Sequence, residues 1–348
     1  MKLGCRAISL GLAVLLLAGC GNAGDQVTTE GSNGNVEAHP RPRDLKPIDF
    51  TLEGYPDSEN VGILMADQRG YFADAGLRVD VLHPIDSDNV PGYLAEGGDE
   101  IGLLPQPQVV LSREEGMPLV AIGSLVPRPT MAIIWRGGSK IGRIADLKGK
   151  TIAINGLPFE ESFLQAILAR AGLTRDDVKV KSVSYGLVQA LANGRADAIL
   201  GSENVEGIEL EEDGLEPIIT PLQRLGVPSY EELVVVTRRD RLAGNPRWIH
   251  RFMSAVARGT AAAIEDPEAA TAAIVAARRE LELPAATPEL AQAKVEATLP
   301  LLSRTAQMNP EGAARLAEWM REQGLTRRKL PVATLFTNRY VNSRSTPP

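Results

Sequence analysis

Cysteine is nearly missing from this 348-residue chain: it occurs only at Cys5 and Cys20. The body that follows can hold no disulfide, no thiolate metal cluster and no cysteine nucleophile. Histidine is almost as scarce, with His39, His83 and His250 scattered singly. An imidazole metal site is therefore not expected, and each of the three reads as a surface or structural residue. After the first twenty residues no apolar run is long enough to cross a bilayer. A formal net charge of −7 argues against nucleic acid or an anionic lipid surface as the main partner. A Gly-x-Ser-x-Gly elbow, a phosphate loop and a His-based triad are all missing too.

What is present begins at the N-terminus. Lys2 and Arg6 precede the apolar run Ile8–Leu17, which falls short of the roughly 20 residues a membrane-spanning helix needs. It reads as the core of a signal peptide over residues 1–19. Leu17-Ala18-Gly19-Cys20 resembles the bacterial lipobox, which implies cleavage before Cys20 and lipid on that residue. Residues 20–46, rich in Gly, Asn, Ser, Asp and Pro, read as a flexible tether with a span of roughly 25–30 Å.

The remaining stretch of about 300 residues exceeds the size at which one core usually divides. Strand-like and helix-like segments alternate from Ile48, the pattern of an α/β protein with parallel-rich sheets. Alternation or apolar runs mark strands at Ile48–Leu52, Arg78–Leu82, Ile101–Leu104, Leu119–Val126 and Thr130–Trp135. After Gly137-Gly138 a second set follows at Thr151–Ile154, Val178–Val183, Ala196–Leu200 and Pro217–Ile219, before a strong strand at Leu233–Thr237. Phe159, Phe163, Ile167 and Ala171 recur every four positions on one helix. Beyond Thr237 the chain reads as proline-started helices. Two lobes are expected, residues 47–135 with 234–348 and residues 136–233, joined by two crossings that form a hinge. A cleft between such lobes is where a ligand is expected.

Gly70-Tyr71-Phe72 with Gly76-Leu77, Ala145–Lys150 (ADLKGK) and Gly194–Ala198 (GRADA) resemble motifs of substrate-binding proteins of ABC importers. The class is the nitrate/taurine one, with the type II periplasmic-binding fold. Gln106-Pro107, Gly156–Glu161 (GLPFEE), Asn204–Leu210, Gly226–Tyr230 (GVPSY) and Phe336–Tyr340 (FTNRY) resemble a narrower branch. Its members bind the pyrimidine precursor of thiamine, formylaminopyrimidine. That resemblance implies a soluble monomer outside the cell membrane, lipid-anchored, delivering a small solute to permease subunits, with no cofactor and no catalysis. One departure stands out. The branch places an aromatic residue and then Thr-Pro-Asn after the first strand, whereas this chain reads Glu53-Gly54-Tyr55-Pro56-Asp57.

Loops leaving the C-terminal ends of parallel strands face the cleft. Tyr55 suits stacking on a planar ring, with Asp57 and Asn60 beside it for ring nitrogens or amines. Asp57 suits a helix N-cap equally well. Gln106 offers a donor and an acceptor, or is a loop residue facing solvent. Gly156, Phe159 and Glu160 open one helix, Asn204 and Glu206 another, where the helix dipole alone favours carboxylates. Thr130 completes the set, and no catalytic or metal-binding residue is expected. The candidate lining (Asp57, Glu59, Glu160, Glu203, Glu206) holds no Lys or Arg within its own stretches. It suits a neutral or cationic amine-bearing solute over a sulfonate or nitrate. The alternatives are another solute of the class, sulfonate, taurine, nitrate or riboflavin-like, and an enzyme of the same fold resembling the eukaryotic pyrimidine synthase.

Overall fold

The computed structural model describes residues 45–84 and 89–341. The leader, Cys20 and the tether as far as residue 44 lie outside them. The first sheet starts with β1 (Lys46–Thr51), followed by α1 (Val61–Gln68), α2 (Tyr71–Asp74) and β2 (Leu77–Leu82). Next come α3 (Val90–Glu96), β3 (Ile101–Leu104), α4 (Gln106–Glu114) and β4 (Leu119–Val126). The second sheet takes β5 (Met131–Arg136), β6 (Thr151–Ile154), β7 (Lys179–Ser182), β8 (Ala198–Ser202) and β9 (Pro217–Pro221). Its helices are α5 (Pro158–Arg170), α6 (Leu187–Ala192) and α7 (Glu206–Glu212). The chain returns to the first sheet as β10 (Leu233–Arg238) and continues through α8 (Arg247–Glu265), α9 (Pro267–Glu280), α10 (Pro288–Thr298) and α11 (Pro310–Glu322).

Strand order is β2-β1-β3-β10-β4 in one sheet and β7-β6-β8-β5-β9 in the other. Both sheets are mixed, each with one strand against the rest. β10 is antiparallel to β3 and β4, and β5 is antiparallel to β8 and β9. These are the two strands that follow a crossing. A chain leaving the C-terminal end of β4 reaches the second sheet at the end where its other strands finish, so β5 has to run against them. The same reasoning applies from β9 to β10. The strand order thus turns the C-terminal ends of both sheets toward the crossings, where ligands of open α/β sheets bind.

Two expectations about the lobes need correction. The sequence reading ends the first lobe at Trp135, yet β5 pairs entirely within the second sheet. The crossing comes earlier, between Val126 and Met131. Met131–Trp135 is apolar and buried throughout, so its pattern carries no information about which sheet it joins. The C-terminal run is also not confined to the first sheet. Leu316 and Met320 of α11 lie in the same core cluster as Ile133, Ile152 and Phe163 of the second sheet, and Trp319 meets Phe163 edge-on at 5.1 Å. The chain then comes back, with Phe336 bridging to Ala121.

The first sheet's core centres on Phe50, Phe72 and Phe252, the last two stacked at 5.2 Å. Helices α1 and α8 approach so closely that a side-chain carbon at Gly259 would overlap the carbonyl oxygen of Gly62. Only glycine permits that crossing.

Candidate ligand site

The loop after β1 is tied down by its own polar residues. Asp57 Oδ1 accepts from the Ser58 N–H at 2.7 Å, and Asn60 Oδ1 accepts from the Asp57 N–H at 3.1 Å. Asn60 Nδ2 donates to the Tyr55 carbonyl at 3.1 Å and to Glu53 Oε1 at 3.2 Å. Asn60 is buried, and its amide is occupied in holding this loop. Asp57 takes the capping role. The other carboxylate oxygen of Glu53 is buried without a hydrogen-bond partner, and burial pushes this group up to about 7.

Glu59 reaches from the same loop to the crossing and to the second sheet. It accepts from Thr130 Oγ1 at 3.0 Å and from Asn204 Nδ2 at 3.1 Å. Asn204 Nδ2 also donates to Thr298 Oγ1 of α10 at 2.8 Å, and that hydroxyl donates to Ser58 Oγ at 2.8 Å. Asn204 Oδ1 is buried with no partner. Burial, then repulsion from Glu232, holds Glu59 well above the usual carboxylate range.

The second sheet presents the same device twice. After β6, Glu160 Oε2 accepts from the N–H groups of Gly156 (2.7 Å) and Leu157 (2.9 Å). After β8, Glu206 Oε2 accepts from the Ser202 N–H at 2.7 Å. In each case a carboxylate in a helix's first turn folds back onto the backbone N–H four residues earlier, just beyond β6 in one case and at the last residue of β8 in the other. Gly156 adopts φ +107 to allow its turn. Burial pushes Glu160 up to about 8 against those two N–H groups, and Glu206 adds repulsion. Glu206 is raised too, mainly by burial.

The crossings are stitched by two consecutive acids. Glu232 Oε2 accepts from the Thr130 N–H (2.7 Å) and the Met131 N–H (3.3 Å), so the returning strand grips the departing one. Glu231 accepts from Ser124 Oγ at 2.8 Å and the Asn309 N–H at 2.9 Å. Gln106 belongs to this stitch: its Oε1 accepts from the Glu231 N–H at 3.0 Å, and its own N–H donates to the Glu231 carbonyl. Phe159 is wholly buried in the second sheet's core, edge-on to Phe163 at 5.3 Å.

Cations do reach the acidic set, from helices distant in sequence. Lys294 of α10 lies 2.9 Å from Glu209 of α7 and 3.6 Å from Asp57, with its side chain 11% exposed. Burial alone would lower its pKa, but Asp57 and Glu209 outweigh that and hold the ammonium above its usual range. Arg278 of α9 donates to the Pro56 carbonyl at 3.3 Å, with its guanidinium carbon 5.1 Å from the Tyr55 ring centre. Tyr55 itself stacks on Tyr185, with centroids 4.1 Å apart and planes 13° from parallel.

A family model described as NMT1/THI5 like matches residues 57–270. The chain belongs to that family. Among NMT1/THI5-like relatives, a Haemophilus influenzae protein named for thiamine biosynthesis is 29% identical over 281 residues, covering 80% of this chain and 87% of its own. The formylaminopyrimidine-binding protein of Halalkalibacterium halodurans is 28% identical over 280 residues, 80% of this chain and 81% of its own. The 4-amino-5-hydroxymethyl-2-methylpyrimidine phosphate synthase of Aspergillus parasiticus is 27% identical over 234 residues, 64% of this chain and 68% of its own. Among solved structures, the alkanesulfonate-binding protein SsuA of Xanthomonas axonopodis pv. citri, bound to MOPS, superposes with a TM-score of 0.65 at 17% identity. The match covers 84% of this chain and 99% of SsuA. The fold is that of the periplasmic binding proteins.

Of the residues named from sequence in this NMT1/THI5-like chain, Asp57, Asn60, Thr130, Gly156, Glu160, Asn204 and Glu206 sit at the strand ends and crossings that the two sheets turn toward each other. Tyr55 joins them through its stack on Tyr185. Gln106 and Phe159 serve the crossing and the core. Sequence reasoning passed over Glu53, Tyr185, Glu232, Lys294 and Thr298. Tyr185 follows β7, so the strand-end rule pointed to it. Lys294 and Thr298 lie on one helix far along the chain, and no local pattern connects them to residue 57 or 204.

Proposed function

We propose that this chain is the extracytoplasmic solute-binding component of an ABC importer, and that it captures an aminopyrimidine and releases it unchanged to a permease. On this reading the two sheets are the cores of two lobes that close on the ligand, and lipid on Cys20 holds the protein at the outer face of the membrane. The observation that carries the reading is the set of carboxyl groups Glu53, Glu59, Glu160 and Glu206 gathered where the two sheets meet, Glu160 buried and the other three half-buried.

A carboxyl group and an aminopyrimidine edge are complementary. The exocyclic amine donates to one carboxyl oxygen while the ring nitrogen accepts from a protonated oxygen or stays near a neutral one. With Glu160 pushed up to about 8 and Glu53 to about 7, neutral pH supplies both protonated and ionised groups. A sulfonate would meet mostly carboxyl groups, with Lys294 already engaged by Asp57 and Glu209 and Arg278 by the Pro56 carbonyl. Ligand unaltered by binding fits a chain whose only cysteines are Cys5 and Cys20. The synthase reading draws on the fungal relatives and predicts that the pyrimidine is made, not merely held.

A thermal-shift screen of the purified protein against aminopyrimidines, taurine, alkanesulfonates, nitrate and riboflavin tests this. Stabilisation by an aminopyrimidine is the expected result, whereas stabilisation by sulfonates or nitrate alone would overturn the reading.

A further inference from the structure

Helix α10 packs with the first sheet's helices, where Val295 shares a core cluster with Val61 and Met65 of α1 and Ile274 of α9. Helix α7 packs on the other side, where Leu210 shares a cluster with Leu187 and Leu191 of α6 and Ile199 of β8. Two residues of α10 reach from the first side to the second. Lys294 lies 2.9 Å from Glu209 of α7, and Thr298 Oγ1 accepts from Asn204 Nδ2 at 2.8 Å. Each also has a partner on its own side, in the loop after β1. Lys294 lies 3.6 Å from Asp57, and Thr298 Oγ1 donates to Ser58 Oγ at 2.8 Å. Residues four apart share one face of a helix, so the two form a single seam. Both are buried, Thr298 completely.

Resting on the two closing lobes of the proposed function, we infer that Lys294 and Thr298 are a closure latch: each bonds the second lobe when the cleft is shut and keeps its first-lobe partner when it opens. Stripping a buried ammonium of every partner is strongly unfavourable. Asp57 prevents that, because the turn that it caps, Ser58–Asn60, packs on α10 and moves with it. Opening at this seam therefore breaks only the bonds to Glu209 and Asn204. Glu206 adds attraction for Lys294 from the second side, and Glu59 adds a bond to Asn204 from the first. A solute held only by the closed form binds in proportion to the fraction closed. Lys294 and Glu209 thus set affinity as positioning residues, by holding the lobes together.

The test is small-angle X-ray scattering of the full chain without added ligand, comparing wild type, Glu209→Ala and Asp57→Asn. Glu209→Ala leaves Lys294 paired only with Asp57 of its own lobe, and a larger radius of gyration is expected. Asp57→Asn keeps an oxygen to cap Ser58 and leaves Lys294 paired only across the cleft, so its radius should not exceed that of wild type. A merely structural ion pair would not give the two variants different radii. A single cooperative thermal transition in each variant shows that it is folded. Equal radii for wild type and Glu209→Ala, or a larger radius for Asp57→Asn, overturn the latch. Titration with 4-amino-5-(formylaminomethyl)-2-methylpyrimidine adds the functional arm: Glu209→Ala is expected to weaken binding about tenfold through its smaller closed fraction, and unchanged affinity overturns the latch too. If the wild type binds no pyrimidine, the ligand reading has failed, and the radii alone decide the latch.

Discussion

Glu160 shows how one side chain links local structure to the behaviour of the site. Its position in the first turn of α5 is what a helix dipole favours, and the Gly156 turn brings two N–H groups onto one of its oxygens. Those bonds do not compensate for burial, and the group rises to about 8. Folded Glu160 therefore keeps a proton that the unfolded chain releases near 4.5. Between about 4.5 and about 8 the native state binds more protons, so stability falls as pH rises through that window. Glu53, raised to about 7, acts in the same direction. Thermal unfolding at pH 5 and pH 8 should show the lower midpoint at pH 8. Glu160→Gln, whose amide oxygen can still accept from Gly156 and Leu157, should shrink the difference; an unchanged difference would show that Glu160 is not its source. From sequence, Glu160 and Glu206 could be placed at helix starts after strands, where the helix dipole alone also accounts for a carboxylate. Asp57 and Gln106 were left between two roles. Only the observed bonds show the first capping its turn and the second bracing a crossing.

At the scale of elements, α10 adds a further link between the two sheets around the site. It carries Thr298 to Asn204 and Lys294 to Glu209, while touching Ser58 and Asp57 of the first loop. The first loop and α7 are thus held through one helix that belongs to neither sheet. Replacing Lys294 with Met keeps the apolar stem and removes the charge, which leaves Asp57 and Glu209 facing each other in a largely buried position. Loss of one partner from a buried ion pair costs about 3 kcal/mol, and a chemical-denaturation midpoint is the direct readout. A midpoint unchanged from wild type would mean that the ion pair contributes nothing. Most strands and helices were readable from periodicity and from the prolines that open α5, α9, α10 and α11. The sheet to which β5 belongs was not readable. A run of five buried apolar residues satisfies either core, and only the direction of the crossing, seen in three dimensions, decides it.

For the whole molecule, the strand ends of two sheets converge, and the proposed anchor at Cys20 lies outside the described residues. The family and fold were legible because their motifs are local: GYF, DLKGK and GVP-x-Y each lie within a few residues. The cleft's chemistry was only half legible, because it is assembled from a loop near residue 55, two helix starts in the second sheet and a helix near residue 294. Cys20→Ala should move the expressed protein out of the membrane fraction without changing its ligand affinity, as read by fractionation and titration; retention in the membrane would show that another feature anchors it. The central claim is capture of an aminopyrimidine without chemistry. Equilibrium titration of the purified protein with 4-amino-5-(formylaminomethyl)-2-methylpyrimidine, followed by mass analysis of the recovered ligand, tests it most directly. Saturable one-to-one binding with the ligand returned intact is the predicted result, and either no binding alongside saturable binding of a sulfonate or a ligand recovered altered would contradict it.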